Sequence, residues 1–161
     1  MSSYRTLKLA FSIALVVLMA GCGARYIKGT KIKFSEERQE LFRIVENYQT
    51  ALEQRDEKAL RKLTSLRYYE NASTTTDATD DYDYNGLEKV FSELKNSVRA
   101  VKLKLVVKDI TVMGDRARVD VEYEAQYLIA LGEQDRWETK SDKNRLAFIR
   151  EEGEWRIVSG M

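Results

Sequence analysis

The sequence predicts an α+β domain, with three helices packed on a strongly bent antiparallel sheet of about four strands. Two observations point there. Between residues 35 and 98 the apolar side chains repeat at helical spacing, and from Val101 onward they repeat every second residue. A slip in that second period, inside one strand, supplies the bend.

The first helix is expected to begin at Ser35. Its hydroxyl can cap the first turn, and Glu36 and Glu37 suit the positive end of the helix dipole. Leu41, Ile44, Val45, Tyr48 and Leu52 then form one apolar face. Arg55-Asp56 breaks the helix, and Asp56 caps a shorter second one lined by Leu60, Leu63 and Leu66. Residues 71 to 85 read as a polar loop, NASTTTDATDDYDYN. A third helix is expected after Gly86, striped by Leu87, Val90, Phe91, Leu94 and Val98. The chain has no proline, so its turns fall to Gly, Asn, Asp and Ser.

The strands follow. In RARVDVEYEAQY, residues 116 to 127, Ala117, Val119, Val121, Tyr123, Ala125 and Tyr127 share one face. Arg116, Arg118, Asp120, Glu122, Glu124 and Gln126 share the other. Gly114-Asp115 joins this strand to KLKLVVKDITVM in a hairpin. There the inward set shifts from odd (Leu103, Leu105, Val107) to even (Ile110, Val112), which predicts a β-bulge near Lys108-Asp109. Two further strands, near 134–150 and 154–159, meet at Glu152-Gly153. Leu146, Phe148, Trp155 and Ile157 face inward.

Taken in order, ELFRIVENYQTALEQRDEKALRKL, NGLEKVFSEL, ITVMGDRARVDVEY and LAFIREEGEWRIVSG resemble the nuclear transport factor 2-like superfamily. That cone-shaped fold is shared with ketosteroid isomerase and the polyketide cyclases. No one piece is diagnostic; the resemblance lies in order and spacing over residues 35 to 160. A cystatin-like cone with one helix is the alternative, and the second and third helices argue against it. The resemblance implies a pocket between helices and sheet, where the enzymes of the superfamily place Asp with Tyr or His.

The first 34 residues carry a different message. Arg5 and Lys8 precede the apolar run LAFSIALVVL, residues 9 to 18, and no acid occurs before Cys22. A positive start, a short apolar run and small residues make a secretory signal peptide. The run is shorter than the ~20 residues that span a bilayer. Leu18-Met19-Ala20-Gly21-Cys22 resembles the bacterial lipobox, with Met19 a departure from the usual small residue. The resemblance implies cleavage before Cys22 and acylation of that cysteine. Cys22 is the only cysteine and the chain has no histidine, so an intrachain disulfide and a Cys-His pair are excluded. The expected division is a signal peptide at 1–21, a lipidated cysteine and tether at 22–34, and the domain at 35–161. Gly23 is not the Asp that resembles an inner-membrane retention signal, which points to the outer membrane in a cell with two membranes. The tether reads as a solvated spacer that lifts the domain off the membrane, helped by charge, since Arg25, Lys28, Lys31 and Lys33 offer contact with anionic head groups.

Cleavage removes Arg5 and Lys8 but no acid, leaving 25 basic against 26 acidic residues. Such a balance argues against nucleic acid as a partner. No histidine means no histidine-based dehydratase site, and Asp120, Glu122 and Glu124 point outward by alternation. No catalytic set carries over and no cofactor is implied. Tyr48, Tyr68, Tyr123, Tyr127 and Trp137 are candidate pocket residues, or else ordinary aromatic core. Asp81-Tyr82-Asp83-Tyr84-Asn85-Gly86 matches the first six positions of an EF-hand loop. Glu88 at position 8 and Ser92 at position 12 depart from it. A weak calcium site at Asp81, Asp83 and Asn85 therefore stands beside a simpler reading, in which Asn85 caps the third helix.

These features lead to the expectation of a non-catalytic envelope lipoprotein. It is held to the membrane through Cys22 and serves as an assembly or scaffolding module for protein partners. A carrier or sensor holding a small apolar ligand in the cone is the alternative, and a tethered enzyme comes third.

Overall fold

The computed structural model describes residues 24–71, 81–131 and 134–161. Cys22 and the signal segment lie outside the described residues. Helix α1 spans Glu36–Gln54, α2 Glu57–Leu63 and α3 Tyr84–Ser97. Two short strands, β1 (Tyr69–Glu70) and β2 (Tyr82–Asp83), pair with each other. The main sheet is antiparallel in the order β3-β4-β5-β6, with β3 at Val98–Met113, β4 at Arg116–Leu131, β5 at Gln134–Glu151 and β6 at Glu154–Ser159. Among the described residues no helix is long and apolar enough to cross a membrane.

Local chemistry sets the helix ends. Ser35 Oγ accepts from Arg38 N at 3.2 Å, and Asp56 accepts from Ala59 N at 3.0 Å. Arg55 ends α1 in the left-handed region, φ 52°, with its N–H returned to Leu52 O at 3.0 Å. The third helix starts earlier than expected, at Tyr84. Its cap is Asp83, whose Oδ1 accepts from Gly86 N at 3.0 Å, and not Asn85. Asp83 has the extended backbone that a cap needs, and Asn85 lies inside the first turn. Leu66 lies beyond α2 and is 80% exposed, so it does not share the face of Leu60. Val98 belongs to β3, not to the third helix.

The register confirms the bulge. Val107 pairs with Val121 and Asp109 with Asp120, so Lys108 is the extra residue. Ile110 is thereby turned inward, 1% exposed, in phase with Leu103 before the slip. The main core joins Leu41 and Val45 of α1 to Leu60, Leu87, Phe91, Val119, Leu146, Phe148, Trp155 and Ile157.

The expected tether is in part a piece of the domain. Residues 25 to 34 fold back on themselves, with Tyr26 bridged to Lys33 and Ile27 N donating to Ile32 O at 2.9 Å. Gly29, at φ 79°, makes the turn. Ile27 and Ile32 enter the core, 2% and 7% exposed. Two apolar residues five apart show no period, which is why the segment reads as a spacer.

Candidate functional site

Alternation places Tyr123 and Tyr127 of β4 on the concave side of the sheet, and Leu103 and Leu105 of β3 lie across from Ala125 and Tyr123. Tyr48 and Leu52, one turn apart on α1, face them. Together they line a half-open cleft of about 420 Å³, which also meets Val121, Tyr82 and Leu146. The rim is polar. Lys140, Asp142 and Asn144 come from β5, Glu70 from β1, and Gly160 and Met161 close one side. Lys143 joins this rim, so the cleft combines aliphatic and tyrosyl walls with an extensive polar edge.

The helix wall is tied in place. Gln49 Nε2 donates to Leu103 O at 2.6 Å, and Glu53 Oε1 accepts from Leu103 N at 2.9 Å. At the opposite rim, Glu70 Oε2 accepts from Gly160 N at 2.5 Å and from the Tyr68 hydroxyl at 3.2 Å. Tyr68 in turn accepts from Met161 N at 3.0 Å and stacks on Tyr82, ring centroids 6.1 Å apart.

The hydroxyls of Tyr48, Tyr68, Tyr82 and Tyr127 stay protonated well above neutral pH. Burial pushes the Tyr48 hydroxyl far up, and Tyr127, Tyr82 and Tyr123 reinforce the shift. Burial likewise raises Tyr68, Tyr82 and Tyr127. At neutral pH each is a neutral hydroxyl, able to donate or accept one hydrogen bond and carrying no charge.

Of the five aromatic candidates, the cleft brings together Tyr48, Tyr123 and Tyr127. Tyr68 is a core residue behind the rim, 2% exposed. Trp137 is not in the cleft. It pairs with Leu128 on the convex face, is 46% exposed, and lies under Lys102 Nζ at 4.8 Å from its ring. The parity of Leu146 and Phe148 points the even residues of β5 inward, so an odd residue faces out. The same parity was the available signal for Lys140, Asp142 and Asn144, which the sequence reading missed. Glu70 and Tyr82 gave no such signal, because β1 and β2 are only two residues long.

The calcium candidates are partly engaged within the chain, while Asp81 Oδ1 is buried without a hydrogen-bond partner among the described residues. Asp83 is occupied as a helix cap, which holds its carboxyl below the usual range, the Gly86 N–H being the largest cause. Asp81 Oδ2 accepts from the Tyr69 hydroxyl at 2.5 Å, and Asn85 Nδ2 donates to Asp83. Among the described residues no group of three or more His, Cys, Asp or Glu could hold a metal ion.

No protein-family model matches the sequence, and no curated protein matches it either. Solved structures do. A conserved protein from Planctomyces limnophilus is similar at 12% identity with a TM-score of 0.65, over 77% of this chain and 92% of that one. A nuclear transport factor 2-like superfamily protein from Salmonella enterica aligns at 13% identity and TM-score 0.63, over 76% of this chain and 87% of its own. A ketosteroid isomerase-like protein from Erwinia carotovora aligns at 14% identity and TM-score 0.64, over 79% and 95%. At such identities the likeness concerns the backbone alone. Three helices on a four-stranded, bulged antiparallel sheet, superimposable on these structures, give this chain the nuclear transport factor 2-like fold.

Proposed function

We propose that the chain is a membrane-anchored, non-catalytic binding module of the cell envelope. What it holds is a small molecule with an apolar body and a polar edge, seated in the cone. The observation that carries this reading is the cleft of about 420 Å³ walled by Tyr48, Tyr123, Tyr127, Leu52, Leu103 and Leu105. A packed interior would have argued for scaffolding; the open one favours the carrier or sensor. The three hydroxyls suit a ligand with one or two hydrogen-bond acceptors on an otherwise apolar body. The two rim carboxylates already take bonds from the chain itself, Glu70 from Gly160 N and Asp142 from Lys143 N at 2.7 Å, which favours holding over reacting.

The anchor in this reading is a lipid on Cys22, supported by the lipobox resemblance, and Gly23 supports an outer-membrane address. The test extracts the full chain from its own membranes in mild detergent and identifies what travels with it by mass spectrometry. A stoichiometric small molecule, lost in a Leu105→Trp variant that fills the cleft, is the expected result. An empty protein whose variant behaves identically overturns the reading.

An assembly role for a protein partner is the second reading. It rests on the convex sheet face, where Trp137 and Val106 stand 46% and 41% exposed. A stoichiometric protein in the same extraction, lost on Trp137→Ala, would support it.

A further inference from the structure

Residues 24 to 35 contain Arg25, Lys28, Lys31 and Lys33 and no acid. All four are exposed. Arg25 lies over the ring of Phe34, 5.5 Å from its centroid, and no ion pair involves any of the four among the described residues. Their backbone is not loose. Ile27 and Ile32 root it in the core, Phe34 N donates to Arg25 O at 2.7 Å, and the Thr30 hydroxyl bonds Ile27 O and Ile32 N, each at 3.0 Å. Tyr26 and Phe34 flank the turn, 50% and 36% exposed. The next acids along the chain, Glu36 and Glu37, belong to the first turn of α1. Of these, Glu37 is paired with Arg150 at 2.5 Å.

We propose that this basic turn is a rigid foot by which the domain stands on an anionic phospholipid surface. The inference rests on the anchoring reading above and deepens it. Three facts argue for lipid as the occupant. Only Gly23 and Ala24 separate Cys22 from Arg25, so an acylated Cys22 brings the turn to the leaflet. The unneutralised cations complement anionic head groups. Exposed Tyr and Phe beside them suit the interfacial layer, where amphipathic rings collect. The foot sets an orientation. Tyr48 lies 12 residues along α1 from its start, about 18 Å, so the cleft is carried away from the membrane.

The test uses the full chain, matured in its host, on vesicles of equal parts phosphatidylcholine and phosphatidylglycerol and on phosphatidylcholine alone. An amine-reactive reagent labels the lysines, and mass spectrometry reads each one. Lys28 and Lys31 should be labelled roughly fivefold more slowly on the anionic vesicles, while Lys58 and Lys89 on α2 and α3 are unchanged. A Lys28→Glu/Lys31→Glu variant, altering exposed side chains only, should lose the protection at Lys33. Equal labelling on the two surfaces, or a variant that keeps its protection, overturns the proposal. Intact mass reports acylation separately. If the chain is not acylated, the anchoring reading fails by itself and the foot is tested by sedimentation with the same vesicles. Sedimentation with anionic vesicles that is lost in the variant supports it, and none overturns it.

Discussion

Glu53 accepts the backbone N–H of Leu103 at 2.9 Å, at the free edge of the sheet. Gln49 takes the same residue's carbonyl at 2.6 Å. Helix α1 thus closes a strand edge with two side chains, which is one way proteins prevent edge-to-edge pairing. A Gln49→Ala/Glu53→Ala double variant should lose roughly 1–3 kcal/mol of stability. It should also widen the cleft and associate at high concentration. Denaturant titration and size-exclusion chromatography measure both; an unchanged monomer of unchanged stability would contradict the role assigned to this pair.

Ile27 tests whether the N-terminal turn belongs to the domain. It is 2% exposed, so Ile27→Ala should cost about 2–5 kcal/mol, as for other buried large-to-small changes. A tether residue would cost nothing. Thermal unfolding of the two chains side by side decides between them.

Gly160 has φ 90°, and a β-carbon there would land on the carbonyl oxygen of Arg145. Backbone cannot yield as a flexible side chain can. Gly160→Ala should therefore cost about 2–4 kcal/mol through the clash and the strained φ together. It should also displace the N–H that Glu70 accepts, so any ligand bound at that rim is weakened with it. Gly29→Ala, also at positive φ but with open space around the new carbon, is the control for strain alone.

Alkaline pH should loosen the fold earlier than its surface charges imply. Burial raises Tyr48 and Tyr68 above the usual phenol value near 10, so the folded chain keeps protons that the unfolded chain releases. Their contribution is complete below that value and falls as pH climbs above it, by up to about 1.4 kcal/mol per pH unit for each tyrosine. Denaturant midpoints should be flat between pH 7 and 9 and drop beyond about 10. Tyr48→Phe should flatten the drop. A midpoint that falls equally in that variant would show that other groups control it.

Adding calcium should leave the melting temperature unchanged, because Asp83 is committed to Gly86 N and Asp81 to Tyr69. A rise at millimolar calcium in differential scanning fluorimetry would show that the loop gathers ligands after all.

Much of the architecture was legible because burial writes a period into the sequence. The slip between Val107 and Ile110 named the bulge, and Ser35 and Asp56 named two helix starts. Asp83 was harder, since Asp83 and Asn85 are both good caps and only the backbone tells which stands outside the helix. Ile27 and Ile32 were illegible because a short fold-back has no repeat. The cleft was half legible. Alternation says which side Tyr123 and Tyr127 face, but not whether a neighbour fills the space before them. On β5, residues 134 to 145 are all exposed, so no contrast in burial marks an inner side, and parity had to be carried back from Leu146.

In the anchored protein proposed above, the buried pair Ile27 and Ile32 also shortens a leash. With a lipid on Cys22 and free chain through residue 34, the domain would roam about 45 Å from its anchor point. With the chain seized from Arg25 onward, the slack is about 10 Å. The volume swept falls with the cube of that length, roughly a hundredfold. A domain so held does not search the space above its leaflet. Whatever it meets has to arrive by its own diffusion, at a station whose height and facing are already set.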